Sequence, residues 1–396
     1  MVLLHYVISL MPAFISLFWV AVLILGVFDA RDALRYRLSE QVLMGRRRLA
    51  LYMSIATAIF ICHALHFNDV GEGALFLKIF YAPCNLAAFP VFLIYIGTLA
   101  GECAGLRTLF QWRWMGLLLP AAVRLVLAIV LTLLVSDEQS ERLYAVIIPV
   151  DKVAFVAVWL ICFVRCLWIM QRHDRAIANY YADVEGRSMK PFRFLLQLMV
   201  ISVVITLVCM FLGSTFFNTH KWMLAVLSLV YSILFFLTGF EGMKWNIRNM
   251  EVSEEGRLES LSEPETLAVP EHQELVADNE VSPAAYNQLF DRAVEVLQQQ
   301  HLYLQPNLKI TDLTRLLGTN RTYLYQAINV ERGLSFSELV NRLRIEHAVQ
   351  LMRRSPEALL DEIAVQSGFS SSASFYRNFR QFQGCSPREF LLRLAT

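Results

Sequence analysis

Residues 310–329 read ITDLTRLLGTNRTYLYQAIN, and residues 360–379 repeat the same helical sentence as LDEIAVQSGFSSSASFYRNF. In the first copy Asp312, Leu313 and Thr314 precede Gly318, and Leu324 and Ile328 follow it. In the second, Glu362, Ile363 and Ala364 precede Gly368, and Phe375 and Phe379 follow. Each apolar helix face stops at a glycine, the residue that enters a left-handed turn without steric cost. A second helix then resumes with apolar anchors four residues apart, one helical turn. This is the pattern of a helix-turn-helix, whose second helix can lie in a DNA major groove. Two copies about fifty residues apart, joined by a helix, are a far more specific signal than either alone.

Working outward, a helix carrying Tyr286, Leu289, Phe290, Ala293, Val294 and Leu297 leads into the first copy. That copy is expected to form helices over 310–317 and 320–329. A long helix from Ser335 to Met352 follows, with Phe336, Leu339, Leu343, Ala348 and Leu351 on its apolar side. The second copy predicts helices near 359–367 and 371–382, and a closing helix begins after Pro387. Residues 284–396 hold thirteen Arg and Lys against ten Asp and Glu, a net charge of +3. That suits phosphate contacts without making an indiscriminate polycation.

The stretch Phe336, Arg344-Ile345, Ala348, Leu351-Met352, Glu362-Ile363-Ala364, Gly368-Phe369, Phe375, Phe379, Gly384 and Pro387 resembles the DNA-binding domain of the AraC/XylS transcription regulators. The one-residue difference in turn length also matches: Gly318 to Leu324 is six residues and Gly368 to Phe375 is seven. The resemblance covers about 283–396, just under a third of the chain. It implies two reading helices entering successive major-groove segments on one face of the DNA. By the same resemblance Thr322, Tyr325 and Gln326 of the first helix fall at base-contacting positions, with Arg321 beside them. Ser372, Ala373 and Arg377 match in the second, and Arg380 is a candidate phosphate contact. Gln suits an adenine edge, a Thr methyl suits a thymine methyl, and Arg suits a guanine edge or a phosphate. Ser370, Ser371 and Ser372 open that helix, where hydroxyls and free N–H groups serve either phosphate binding or ordinary N-capping. Most of that family carry a soluble sugar-binding or cupin-like N-terminal domain; this chain does not, so the family's usual ligands do not transfer.

The N-terminal part has another composition. The chain of 396 residues is 56% hydrophobic and 17% charged, and the two are segregated. Up to about residue 240 there are seven apolar runs, near 9–28, 49–67, 76–100, 114–135, 145–170, 194–216 and 222–241. Each reaches the roughly 20 residues that cross a bilayer. The connections on one side carry fifteen Arg and Lys, six of them Arg31, Arg35, Arg37, Arg46, Arg47 and Arg48; the other side offers Arg142 and Lys221. That asymmetry places the N-terminus outside and the C-terminus in the cytoplasm, as an odd number of spans requires. The first run has its arginines behind it rather than in front and is read as a retained span, not a cleaved signal peptide. All seven cysteines fall in spans or on the cytoplasmic side and are expected to be reduced. The net charge of +1 averages unlike parts.

The expected organisation is therefore all-α: a seven-span sensor domain over 1–245, an acidic linker over 246–283 and a DNA-binding domain over 284–396. Between 249 and 283 ten acids face one base, Arg257, with Pro264, Pro270 and Pro283 interspersed. Such a stretch is either a solvated spacer or a mask that folds back on the basic reading surface; its first part, 241–260, can instead continue the last span as a signalling helix. Within the spans Arg124 lies near the bilayer midplane, where a lone arginine is costly. Asn85 lies at similar depth and Asp151 with Lys152 in the outer part of the fifth span. The readings are an interhelical polar clip with Asp151 or Asn85, or an anion anchor for an amphipathic signal. Pro83, Pro90, Pro120 and Pro149 interrupt their spans. His63, His66 and Asp69 recur every three residues, a spacing open to a pH-sensitive cluster, but no metal site is assigned. No phosphate-binding glycine loop, nucleophile elbow or zinc-protease helix occurs, and neither catalytic residue nor cofactor is expected.

The reading that follows is a bacterial inner-membrane one-component regulator, an activator, not an enzyme. Its expected partners are promoter DNA, the lipid bilayer, RNA polymerase, an unidentified small-molecule or membrane-soluble signal and a second copy of the chain. The alternatives are a transporter or membrane enzyme whose turnover is coupled to the DNA-binding domain, and proteolytic release of that domain through the linker.

Overall fold

Apolar surface on every side sets the N-terminal helices of the computed structural model apart from ordinary amphipathic ones. The structure describes residues 2–32, 40–67, 75–101, 112–135, 137–219, 221–262 and 283–395. The N-terminal helices are α1 (Val2–Asp32), α2 (Glu40–Phe67), α3 (Leu75–Leu99), α4 (Trp112–Leu134), α5 (Asp137–Tyr180), α6 (Lys190–Thr219) and α7 (Lys221–Ser262). Trp19 and Leu23 of α1, Leu49 and Met53 of α2, Phe92 and Tyr95 of α3 and Phe235 of α7 share one buried cluster. Yet Phe14 and Leu17 of α1, Leu133 and Leu134 of α4 and Val153 of α5 are exposed. A helix that is apolar inside and out is the kind that suits a bilayer. Among the described residues five helices contain stretches long and apolar enough to cross a membrane: Val7–Ile24, Ile79–Leu99, Gly116–Leu134, Val146–Tyr180 and Ala225–Trp245.

Hydroxyl groups tie these helices together. Ser16 and Thr57 share a hydrogen bond of 2.8 Å between α1 and α2, one hydroxyl donating to the other, and each oxygen also lies within 2.9 Å of a carbonyl one turn back on its own helix. Arg48 of α2 donates to Thr98 of α3. The Tyr231 hydroxyl of α7 donates to the Ser202 carbonyl of α6 over 3.3 Å. Pro83 and Pro90 lie within α3, Pro120 within α4 and Pro149 within α5, none of which ends at its proline. α7 runs on into the acidic stretch; residues 263–282, which carry the rest of it, lie outside the described residues.

The chain divides into two compact units, residues 1–170 with 189–266, and residues 171–188 with 267–396. The second unit holds α8 (Pro283–Gln299), α9 (Ile310–Leu317), α10 (Arg321–Tyr325), α11 (Phe336–Arg354), α12 (Leu360–Gln366), α13 (Ser372–Gln383) and α14 (Pro387–Ala395). The single helix expected over 320–329 divides: α10 is five residues long and passes into a wide π-type turn over Gln326–Val330, closed by the Glu331 N–H on the Gln326 carbonyl. The other helices agree with the expected ranges to within about two residues at most ends, the usual uncertainty of a helix terminus.

α11 is the axis of this unit. Ser335 and Glu338 form a reciprocal capping box at its start, satisfying free N–H groups there. Phe336, Leu339, Val340 and Leu343 pack with Leu313, Leu317, Leu324 and Ile328 in one core. Ile345, Ala348 and Met352 pack with Ile363, Ala364, Phe369, Phe375 and Phe379 in another. The two sets lie on different faces of one helix, so each helix-turn-helix is built against its own half of α11.

Candidate nucleic-acid interface

The two helix-turn-helix units close their turns by the same bonds. Gly318 has φ +63° and Gly368 has φ +83°. The Thr319 N–H reaches back five residues to the Thr314 carbonyl at 3.1 Å, and the Phe369 N–H does the same to Ala364 at 3.1 Å. This is the left-handed helix stop in which a glycine carries the reversal. The second helix of each unit then opens on a side-chain cap. Asn320 accepts from the Tyr323 N–H at 2.9 Å, and Ser371 accepts from the Ser374 N–H at 3.1 Å. Apolar anchors are withdrawn, with Leu324, Phe375 and Phe379 fully buried. The remaining face of each helix is polar and partly or fully exposed.

On those open faces stand the residues the sequence singled out. Arg321, Thr322 and Tyr325 of α10 are exposed, and Gln326 is half-buried at the start of the wide turn. On α13 Ala373, Arg377 and Arg380 are exposed and Ser372 is half-buried. The Arg377 guanidinium also donates to the Ser374 hydroxyl of its own helix at 3.3 Å, while the residue as a whole stays exposed.

The two units are locked to each other rather than strung on a flexible joint. Arg344 is 1% exposed, at the boundary of the two cores. Its guanidinium donates to the Tyr303 carbonyl at 2.6 Å, the Gln305 carbonyl at 2.7 Å and the Asn341 side-chain oxygen at 3.3 Å. The same group lies 5.6 Å from the centre of the Phe369 ring. Burial pulls its pKa down to about 10, and the nearby Asp183 carboxylate works against that shift, so Arg344 stays charged at neutral pH. A Cβ added at Gly368 would lie 2.7 Å from the Leu304 backbone. The turn of the second unit thus rests on the 303–305 segment of the first, and the spacing of the two reading helices is fixed by packing.

Sequence reasoning missed a further component. The connection between α5 and α6 belongs to this unit. Ala182 is fully buried; its N–H donates to the Leu308 carbonyl at 2.9 Å, and its carbonyl accepts from Ser337 Oγ at 2.7 Å and Asn341 Nδ2 at 3.3 Å. Tyr181 pairs with Lys309 in an isolated antiparallel bridge. Next to this anchor, three successive serines at the opening of α13 each donate to a carboxylate. Ser370 donates to Asp183, Ser371 to Glu185, and Ser372 to Asp361 at 2.6 Å. No periodic signal marks such contacts; the one available clue was that Asp183 and Glu185 are the sole acids between Arg175 and Arg193.

The proposed sensing residues fall elsewhere. Arg124 of α4 is 6% exposed, and its Nε donates to both Asp151 carboxylate oxygens on α5, at 2.8 and 3.1 Å. Asn85 Nδ2 donates to the Tyr81 carbonyl of its own helix at 2.9 Å. Of the two partners considered for Arg124, the structure pairs it with Asp151. His63 and His66 lie on the last turns of α2 with side chains outside those described, and Asp69 lies outside the described residues. Among the described residues no group of three His, Cys, Asp or Glu side chains is placed to hold a metal ion.

A family model described as a helix-turn-helix domain matches residues 313–393. The C-terminal domain is an AraC-type helix-turn-helix domain. Over 100 residues the chain is 31% identical to an uncharacterized HTH-type transcriptional regulator of Staphylococcus aureus strain MSSA476, covering 25% of this chain and 13% of the relative. Over 89 residues it is 35% identical to the TCP pilus virulence regulatory protein of Vibrio cholerae, covering 22% of this chain and 32% of the relative. The chain therefore spans about an eighth of the first relative and a third of the second. No solved structure matches. The matched stretch contains both turns, both reading helices and α11, and the apolar helices lie wholly outside it.

Proposed function

We propose that this chain is a one-component transcription activator of the bacterial inner membrane, whose apolar helices register a cue and whose C-terminal domain binds promoter DNA from the cytoplasm. The observation that carries the reading is the Arg344–Gly368 lock: it holds two N-capped helices with open polar faces at a fixed spacing, as a two-segment groove reader requires. In this reading Thr322, Tyr325 and Gln326 face base edges, and Arg321, Ser372, Ala373, Arg377 and Arg380 line the phosphates and the second groove segment. An activator at a promoter works through RNA polymerase, the expected protein partner. Seven spans, the outside N-terminus and the domain limits near 245 and 284 belong to the same proposal, supported by the fifteen-to-two bias of basic residues. Arg124 with Asp151 is the candidate cue-responsive pair, because an ion pair between two apolar helices is where an anionic group can compete.

The test is promoter mapping by chromatin immunoprecipitation of the tagged full chain, followed by binding assays on the recovered sequences. A defined motif with two half-elements on one face of the helix is expected. Gln326→Ala should cost roughly 1–3 kcal/mol and relax preference at one base pair. Recovery of no sequence above background, with the chain present in the membrane, would sink the reading.

A further inference from the structure

We propose that residues 180–187, the connection between α5 and α6, are an internal competitor of DNA: they hold the opening of the second reading helix with two carboxylates where phosphates would otherwise bind. The inference rests on the DNA-binding reading above and deepens it to the regulation of that surface.

The first support is chemical. The opening turn of a helix offers unsatisfied N–H groups, a partial positive charge and, here, three hydroxyl donors. A DNA phosphate docks on such a turn by accepting from the same groups. Asp183 and Glu185 do so instead: their carboxylates accept from Ser370 and Ser371, and Ser371 at the same time caps the helix through the Ser374 N–H. A carboxylate and a phosphate cannot occupy one set of donors together, and like charges repel at that distance.

The second support is that the same segment also touches the start of the first reading helix. Tyr180 lies 5.9 Å, ring centre to guanidinium, from Arg321, the first residue of the first reading helix. Between the two contacts Ala182 is pinned by three backbone and side-chain hydrogen bonds. The segment is thus built with a fixed anchor and a polar arm. The arm carries the charges, and its hold consists of hydrogen bonds to half-buried or exposed hydroxyls, which water or phosphate can replace.

The third support is connectivity. Tyr180 is the last residue of α5, whose apolar stretch begins at Val146, and α6 starts at Lys190. A displacement of either helix along its axis therefore pulls on Asp183 and Glu185 through fewer than ten residues of chain. That gives the membrane helices a direct way to uncover the reading surface, without any role for the acidic stretch after α7.

The experiment uses the full chain in lipid nanodiscs and a fluorescent 40-base-pair duplex of mixed sequence, read by anisotropy at about 50 mM salt, where phosphate contacts dominate. Removing both charges with Asp183→Asn and Glu185→Gln should raise affinity about tenfold, the worth of one to two charge-assisted hydrogen bonds. Loss of a merely structural brace would lower affinity or leave it unchanged, and either result overturns the proposal. Because Asp183 sits near Arg344, Glu185→Gln alone is measured beside the double variant and should give part of the gain. A second arm locks the arm in place. Ser370→Cys with Asp183→Cys, oxidised to a disulfide, should lose binding and regain it on reduction; unchanged binding when locked overturns the proposal. Arg380→Ala separates the two readings. Wild-type binding that falls with Arg380→Ala but ignores the loop variants rejects the competitor and keeps the DNA-binding domain. Binding by none of the proteins rejects both.

Discussion

A methyl group added at Gly318 would meet open space, whereas at Gly368 it would lie 2.7 Å from the Cα and carbonyl oxygen of Leu304. Both residues have positive φ, so alanine is strained at either. At Gly318 the cost is the backbone term alone, roughly 1 kcal/mol. At Gly368 the backbone of another segment must also move, and the expected cost is roughly 2–4 kcal/mol. Hydrogen exchange of the solubilised full chain should accordingly show a much larger loss of protection over 283–395 for Gly368→Ala than for Gly318→Ala. Equal losses would mean that the 303–305 segment does not brace the second turn. His347 gives a second residue-scale expectation. Its Nδ1 lies 3.4 Å from the Tyr303 hydroxyl, and burial, His301 and Arg354 together lower its pKa below the usual 6.5. The folded domain therefore binds a proton there less readily than the unfolded chain. The stability this contributes is fully present above pH 6.5 and is lost as pH falls toward the lowered folded value. Protection should weaken between pH 7 and pH 5.5 in the wild type and less so in His347→Gln. An identical pH response in the two would exclude His347 as the source.

α11 is the element on which both helix-turn-helix units depend, because its two faces serve two cores. Ser335→Ala removes one half of its capping box and should cost about 1 kcal/mol. Since the lost stability belongs to a shared helix, exchange protection should fall in 310–330 and in 360–383 alike. A loss confined to the first range would show that the units open separately. Much of this element was legible before the structure: the glycine stops, the apolar anchors four apart and the Ser335 start are local signals, and local signals survive in a single sequence. The wide turn over Gln326–Val330 was not, because residues 320–329 keep an ordinary apolar spacing and the departure is decided by packing. Arg344 was recognisable only as part of a family pattern; nothing in its neighbourhood announces a buried charge serving three acceptors. The 180–187 segment was invisible for a stronger reason. Its partners Leu308, Ser337, Asn341, Ser370 and Ser371 lie more than a hundred residues away, and neither a bridge of one residue pair nor a hydroxyl–carboxylate contact has a period.

At the scale of the whole molecule, segregation of charge is what the proposed function requires of a chain that faces lipid at one end and DNA at the other. Five described helices are apolar enough to cross a membrane, while the basic residues gather in the connections after the first, third and fifth apolar runs and behind the last. A polybasic connection is retained on the cytoplasmic side during insertion, and each retained connection fixes the direction of the spans around it. Six arginines between the first two runs make that constraint strongest at the start of the chain. The C-terminal domain must then share the side of those arginines if the number of spans is odd. Fusions of a reporter that fluoresces only in the cytoplasm should light up after residue 250 and stay dark when inserted at 68–74 or 217–221. Fluorescence from either insertion would reverse the order of spans or change their number. Darkness after residue 250 would put the helix-turn-helix domain on the side of the membrane without DNA, and the proposed function would fall with it.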